Sequence, residues 1–143
     1  MTIAVILSGK GHEVVSSVGP DATVGEVVAL LAERRIGAVP VIAADGVVGI
    51  LSERDLVYGL ATDGAALLAK RASDVMTAPA ITTTPETPVL AALGLMTRRR
   101  IRHLPVIANG ELVGFISIGD LVKVRIDRAE EEARAMRDYI QSA

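Results

Sequence analysis

Two seven-residue segments carry side chains suited to ligand chemistry: Gly49-Ile50-Leu51-Ser52-Glu53-Arg54-Asp55 and Gly114-Phe115-Ile116-Ser117-Ile118-Gly119-Asp120. Each sets a hydroxyl three residues ahead of a carboxylate, where an apolar run ends and a helix is expected to begin. Two chemistries fit that spacing. In a helix cap the serine oxygen accepts from the third helical amide and the acid lies at the positive end of the dipole. In a binding device an ionised Asp offers two acceptor oxygens to the vicinal hydroxyls of a ribose, and the helix-terminal amides beside it favour phosphate. Recurrence of the pair at Ser52/Asp55 and Ser117/Asp120 weighs toward binding.

The one dense positive cluster is Arg98, Arg99, Arg100 and Arg102 with His103, leading directly into Leu104-Pro105-Val106. Guanidinium forks bind phosphate bidentately, and His103 adds a donor whose charge follows pH. Alternatively Arg98, Arg99 and Arg100 complement the C-terminal dipole of a helix with their heads in water. The positions equivalent to Arg102 and His103 in the first copy are Gly37 and Ala38, which leaves Arg54 and Lys10 as cations there. The two sites are therefore expected to differ. A hydrolase built on Ser52 or Ser117 with His103 would need a base and an orienting acid beside the serine, and no motif supplies them, so no catalytic residue is expected. The chain has no cysteine, and His12 and His103 cannot form a protein zinc site alone, so no metal is expected either.

The segments that carry this chemistry belong to an internal duplication. Pro20–Val57 aligns with Pro85–Val122 at a constant offset of 65, with sixteen of the 38 positions identical, including Pro40-Val41-Ile42-Ala43 against Pro105-Val106-Ile107-Ala108. A copy of about 60 residues is marginal alone, so the two are expected to bury apolar faces against each other as one pseudo-twofold module. The whole chain has 143 residues, 50% hydrophobic and 22% charged, which leaves no room for two independent catalytic domains. A net charge of -2 gives no overall attraction for nucleic acid or an anionic membrane, and 2% aromatics are too few for base stacking. DNA binding through Arg98 to Arg102 is disfavoured by the acidic remainder. No run approaches a membrane span, no secretory signal is present, and a soluble cytoplasmic protein is expected.

Each copy shows the same order of signals. Thr23-Val24-Gly25-Glu26 is a capping box opening a helix to Arg35, with Gly37 suited to its end; Thr87 caps, and Pro88 begins, a second helix running toward Ile101. Asp45-Gly46 and Asn109-Gly110 each join two Val/Ile-rich segments as a hairpin. Val14–Val18 and Ala80–Thr83 are candidate leading strands, and further helices start near Glu53 and Ile118. The fold class is α/β (α+β), with two β-α-β-β-α repeats. The divisions are 1–62 for the first repeat, 63–71 for a linker that is loop or short helix, 72–126 for the second repeat and 127–143 for a C-terminal helix extension. That last helix carries an apolar stripe, Leu121, Val124, Ala129, Ala133, Met136 and Ile140, longer than one module needs, which points to a partner subunit.

The duplicated unit, with Gly-h-h-Ser-x-x-Asp (h apolar) after each hairpin and with Ala72-Ser73-Asp74-Val75-Met76-Thr77 leading into the second copy, resembles a tandem cystathionine-β-synthase (CBS) domain pair, a Bateman module. The resemblance covers about Thr2 to Val124. It implies two clefts between the repeats that bind an adenosyl small molecule, with Asp on ribose, strand-edge backbone around adenine, and Arg, His or Ser on phosphate. Carried onto this chain, it implies a first site of Asp55, Ser52, Arg54, Ala38, Val39, Pro40 and the segment from His12 to Val14. It implies a second site of Asp120, Ser117, His103, Leu104, Pro105 and the stretch through Thr77, Ala80 and Ile81, with Arg102 beside it. The first repeat departs from the pattern by carrying Gly9-Lys10-Gly11-His12 as its lead-in, and the second by Ile118-Gly119 in place of Glu53-Arg54. A homodimer acting on an unidentified regulated protein is expected. The function expected is a sensor of AMP, ADP, ATP or a related nucleotide as regulatory ligand, with no cofactor required. The alternatives are a structural dimerisation module, or a sensor of S-adenosylmethionine or NAD.

Overall fold

The Val/Ile-rich segments fold as two hairpins of equivalent register. In the computed structural model, which describes residues 1–11 and 13–142, β1 (Ala38–Ala43) pairs antiparallel with β2 (Gly46–Ser52), and β3 (His103–Ala108) with β4 (Glu111–Ser117). Ala38 lies opposite Ser52 as His103 lies opposite Ser117, and both ladders slip by a residue, at Val41/Ile42 and Val106/Ile107. Asn109 and Gly110 take φ of 52° and 77°, the left-handed pair a type I′ turn requires.

The leading strands shrink to one residue each. Val18 bridges parallel to Val41, and Thr83 to Val106. Val18 donates to the Pro40 carbonyl at 3.2 Å and accepts from the Ile42 amide at 2.9 Å; Thr83 repeats this with Pro105 at 2.9 Å and Ile107 at 2.8 Å. The next rung would need an N–H from Pro40 or Pro105, which proline lacks, so the ladder stops.

Helix α2 (Val24–Arg34) opens on the expected capping box, Thr23 and Glu26 exchanging hydrogen bonds of 3.1 Å. It closes at Arg35 (φ 54°) rather than at Gly37, and α5 (Val89–Arg99) closes at Arg100 (φ 53°), short of Ile101. The following Ile36 and Ile101 fold back, donating to the Leu31 and Met96 carbonyls at 3.1 and 3.0 Å, and pack on the cores; that apolar closure makes an arginine adopt the left-handed turn. Thr87 does not cap α5. Its hydroxyl lies 3.1 Å from that of Thr84, and the Val89 amide donates instead to the Met1 carbonyl at 3.0 Å. The remaining helices are α3 (Glu53–Asp63), a 3-10 turn over Gly64–Ala69 in the linker, α4 (Ala72–Val75), α6 (Ile118–Ser142) and α1 (Ile3–Gly9), which the sequence reading did not assign.

The lead-in segments cross over. Helix α4, which precedes the second copy, docks on the first: Ala72 is fully buried with Val27, Leu31, Val39, Val41 and Leu51, and its amide donates to the Ala22 carbonyl at 2.7 Å. Thr77 pairs with Ile50 of β2 by two backbone bonds of 2.9 and 3.0 Å. Helix α1 does the reverse. Ile3 and Ile6 are buried among Val89, Met96, Leu104, Val106, Ile116 and Leu121 of the second copy. Burying such an isoleucine is worth roughly 1.5–3 kcal/mol, which holds α1 firmly; α4 is held by buried Ala72 and by the backbone pairing of Thr77. This crossing decides which residues face each cleft. Along α6 the chain is exposed from Arg125 onward, with Met136 and Ile140 at 59% and 64%.

Candidate functional site

Ser52 ends β2 and caps α3, so the local sequence alone fixes Asp55 at the helix mouth. The Ser52 amide and hydroxyl donate to Asp55 Oδ2 at 2.9 and 3.1 Å, and the Asp55 amide donates to Ser52 Oγ at 3.4 Å. The other oxygen, Oδ1, accepts from the Thr77 hydroxyl at 2.9 Å. A carboxylate has about four lone-pair sites. Asp55 thus has one still open, on Oδ1, and both sites of that oxygen are offered to a diol if the Thr77 hydroxyl turns away. This carboxylate lines a first cleft of 370 Å³ together with Thr77, Ala80 and Ile81 and with Arg54, Arg100, Arg102 and His103. Arg54 reaches across to the second repeat and donates to the Arg100 carbonyl at 2.6 Å, satisfying the end of α5.

The second cleft, of 530 Å³, is the pseudo-twofold counterpart. Asp120 Oδ2 accepts from the Ser117 amide at 2.9 Å, and the Asp120 amide donates to Ser117 Oγ at 3.2 Å. Here the third partner is a cation: Lys10 Nζ donates to Asp120 Oδ2 at 2.9 Å and to the Phe115 carbonyl at 3.2 Å. Val14, Ala38, Arg35 and Phe115 complete the wall. Gly37 and His103 line both clefts.

His103 stacks on Phe115, with centroids 5.5 Å apart and planes 18° from parallel. Burial pushes its pKa below the ordinary value; Glu53 on the first-cleft side and Asp120 on the second pull against that without overcoming it. For Asp120 burial acts upward, but the Ser117 amide and the Lys10 ammonium outweigh it and hold the carboxyl below the ordinary value.

The structure gathers most of the expected residues but sorts them otherwise. Asp55, Ser52 and Arg54 were expected with Ala38 and Val14; they lie instead with Thr77, Ala80, Ile81, Arg102 and His103. Asp120 and Ser117 lie with Ala38 and Val14, keeping His103 through its shared position. The cause is the exchange of α1 and α4, which carries each lead-in to the other repeat. Lys10, expected beside Arg54 in the first site, serves the second. Val39 and Leu104 are fully buried core residues, and Pro40 and Pro105 are buried beside them; none of the four lines a cleft. His12 lies outside the described residues. Among the cleft residues that the sequence reading left out are Arg35, Gly37 and Phe115, reachable through the offset of 65, since Arg35 pairs with Arg100, Gly37 with Arg102 and Phe115 with Ile50, and Glu53, whose counterpart Ile118 lines neither cleft. Neither serine hydrogen-bonds to His103 among the described residues, and no group of three metal-ligating side chains occurs among them. No described helix is long and apolar enough to cross a membrane.

Comparison with known proteins adds a family match. The model for the CBS domain matches residues 12–62 and 72–127. A mitochondrial CBS domain-containing protein of Arabidopsis thaliana, CBSX3, is 34% identical over 148 residues, covering 98% of this chain and 72% of that protein. The inosine-5'-monophosphate dehydrogenase of Mycobacterium bovis is 40% identical over 107 residues, but the match spans only 19% of its length. Among solved structures, the CBS-domain containing protein ATU1752 from Agrobacterium tumefaciens superposes with a TM-score of 0.81 at 44% identity, over 87% of this chain and 92% of that one. The CBS domain pair of protein MJ0100, solved with 5'-methylthioadenosine and S-adenosyl-L-methionine, shares the fold with a TM-score of 0.78 at 20% identity, over 90% and 98% of the two chains.

Proposed function

The chain belongs to the CBS-domain family, carrying the domain twice, and from that premise we propose that it is a regulatory module that binds an adenosine-containing nucleotide in the first cleft and performs no chemistry on it. The observation that carries this reading is the Asp55 carboxylate, whose cap consumes Oδ2 and leaves Oδ1 with a single displaceable hydroxyl, that of Thr77, which lines the same cleft. Arg100 and Arg102, which line the same cleft, favour a phosphorylated ligand, AMP, ADP or ATP, over a neutral one. The adenosyl ligands held by the MJ0100 pair support the ligand class. Calorimetry with AMP and ATP tests it. Asp55→Ala is expected to weaken binding at least tenfold, while Thr23→Ala, a cap of similar worth away from the cleft, lowers melting temperature and leaves affinity alone. Equal affinity in Asp55→Ala and the parent chain removes the reading.

A second reading has its own observation. Both aspartates complete caps, and α6 exposes an apolar stripe, as a purely structural homodimerisation module would. The two readings separate by thermal shift, since a ligand at 100 times its Kd stabilises by about 2.7 kcal/mol. No shift with AMP, ATP, S-adenosylmethionine or NAD assigns the chain to the structural role.

A further inference from the structure

Helix α6 presents two different apolar faces. At its root Leu121 and Val124 pack into the second core, while Val122, Ile126, Ala129, Ala133, Met136 and Ile140 are exposed. At roughly 3.6 residues per turn those six fall within ~80° of the helix circumference, centred ~130° from the packed face. A helix that keeps Leu121 buried cannot roll this stripe onto its own repeat. The steps between the six are four, three, four, three and four residues, a heptad seam with Ile126, Ala133 and Ile140 at the a positions and Val122, Ala129 and Met136 at d. Asp127, Glu131, Arg134 and Asp138 stand on the far side of the helix from that seam.

The charges that flank the seam choose a direction. Arg125 and Glu132 hold g positions, and Lys123, Glu130 and Arg137 hold e positions. In a parallel pair each g residue faces the e residue five positions further along the other helix, so Arg125 meets Glu130 and Glu132 meets Arg137, each twice by symmetry. Glu132 already holds Arg128 of its own helix through one oxygen at 3.3 Å, and its carboxylate has acceptor sites to spare. In an antiparallel pair with all six layers matched, e faces e and g faces g: Glu130 meets Glu130, Glu132 meets Glu132, and Lys123 meets Arg137, all of like sign. Isoleucine at two of the three a positions suits two strands. We propose that α6 joins this chain to a second copy as a short parallel two-stranded coiled coil, its direction set by the Arg125–Glu130 and Glu132–Arg137 pairs. This rests on the homodimer reading and deepens it, and it is independent of nucleotide binding. Because both helices then run the same way from their roots, the second repeats of the two copies lie side by side at one end of the coil.

The chain has no cysteine, so single cysteines placed in the full chain report which positions meet. Ile126→Cys and Met136→Cys are each expected to give a disulfide-linked dimer under mild oxidation, since in a parallel pair each position faces itself. In the antiparallel pair position 126 faces 136, and two like cysteines would sit about 15 Å apart along the axis, beyond disulfide reach, so only a mixture of the two variants would crosslink. Asp138→Cys, on the far side, measures chance collision. Arg137→Glu, which sets an acid against Glu132 of the second copy, is expected to weaken the dimer about fivefold in sedimentation across a concentration series, and Glu132→Arg added to it to restore the parent value. A dimeric parent chain whose variants crosslink only in the mixture, or at neither position above the Asp138→Cys level, overturns the parallel coil and leaves the homodimer standing. A dimer that Arg137→Glu leaves unmoved or tightens does the same. A parent chain that stays monomeric throughout the series overturns the coil and the homodimer together.

Discussion

Asp120 is held in its ionised form by the Ser117 amide and Lys10 against the opposing effect of burial. Its native pKa therefore lies below the unfolded value near 3.9. The unfolded chain takes up that proton first on acidification. The stabilisation is complete above about pH 4 and is lost as pH falls through the lowered native value. Melting temperatures measured from pH 5 to 2.5 are expected to fall less steeply in Asp120→Asn than in the parent chain. His103 also has a lowered pKa, but as a base it gives a window nearer neutrality. Its unfolded form protonates near pH 6.5 and its native form only lower, so stability declines as pH drops from about 6.5 toward the native value. His103→Gln is expected to flatten that decline, read by the same melting series between pH 7.5 and 5. At this scale the Ser-x-x-Asp pairs were legible because a cap is a contact across three residues. The Lys10 contact was not, because it joins residues 110 apart in sequence.

The elements follow mostly from local signals: alternation and turn residues wrote the hairpins, and Thr23/Glu26 wrote the start of α2. What local signals could not reveal was the partner of each lead-in, since α1 and α4 are short and their apolar faces would fit either repeat. The clearest physical mark of the true docking is a missing side chain. A Cβ at Gly49 would come within 2.9 Å of the Thr77 carbonyl, closer than real carbons approach, and that backbone is paired to β2. Gly49→Ala is expected to cost about 1–3 kcal/mol by overpacking and to loosen Thr77 from Asp55. Chemical denaturation together with nucleotide calorimetry checks both effects, and unchanged stability would show that the lead-in yields more easily than its hydrogen bonds imply.

At the scale of the molecule the duplication was legible in the sequence, and with it the pseudo-twofold pairing of clefts. Within the proposed homodimer reading, the exposed stripe of α6 is the surface a second copy would cover. Replacing Met136 and Ile140 together by Glu is expected to leave the melting of the dilute chain nearly unchanged and to shift sedimentation toward the monomer. The exchange of α1 has a broader consequence: damage at one end of the polypeptide is felt at the other. Deleting the first nine residues strips Ile3 and Ile6 from beneath the distant half while the adjacent half keeps its own support. Amide exchange should then quicken across 89–121 and stay slow across 24–51, so wear at the amino terminus weakens the carboxyl-terminal half first.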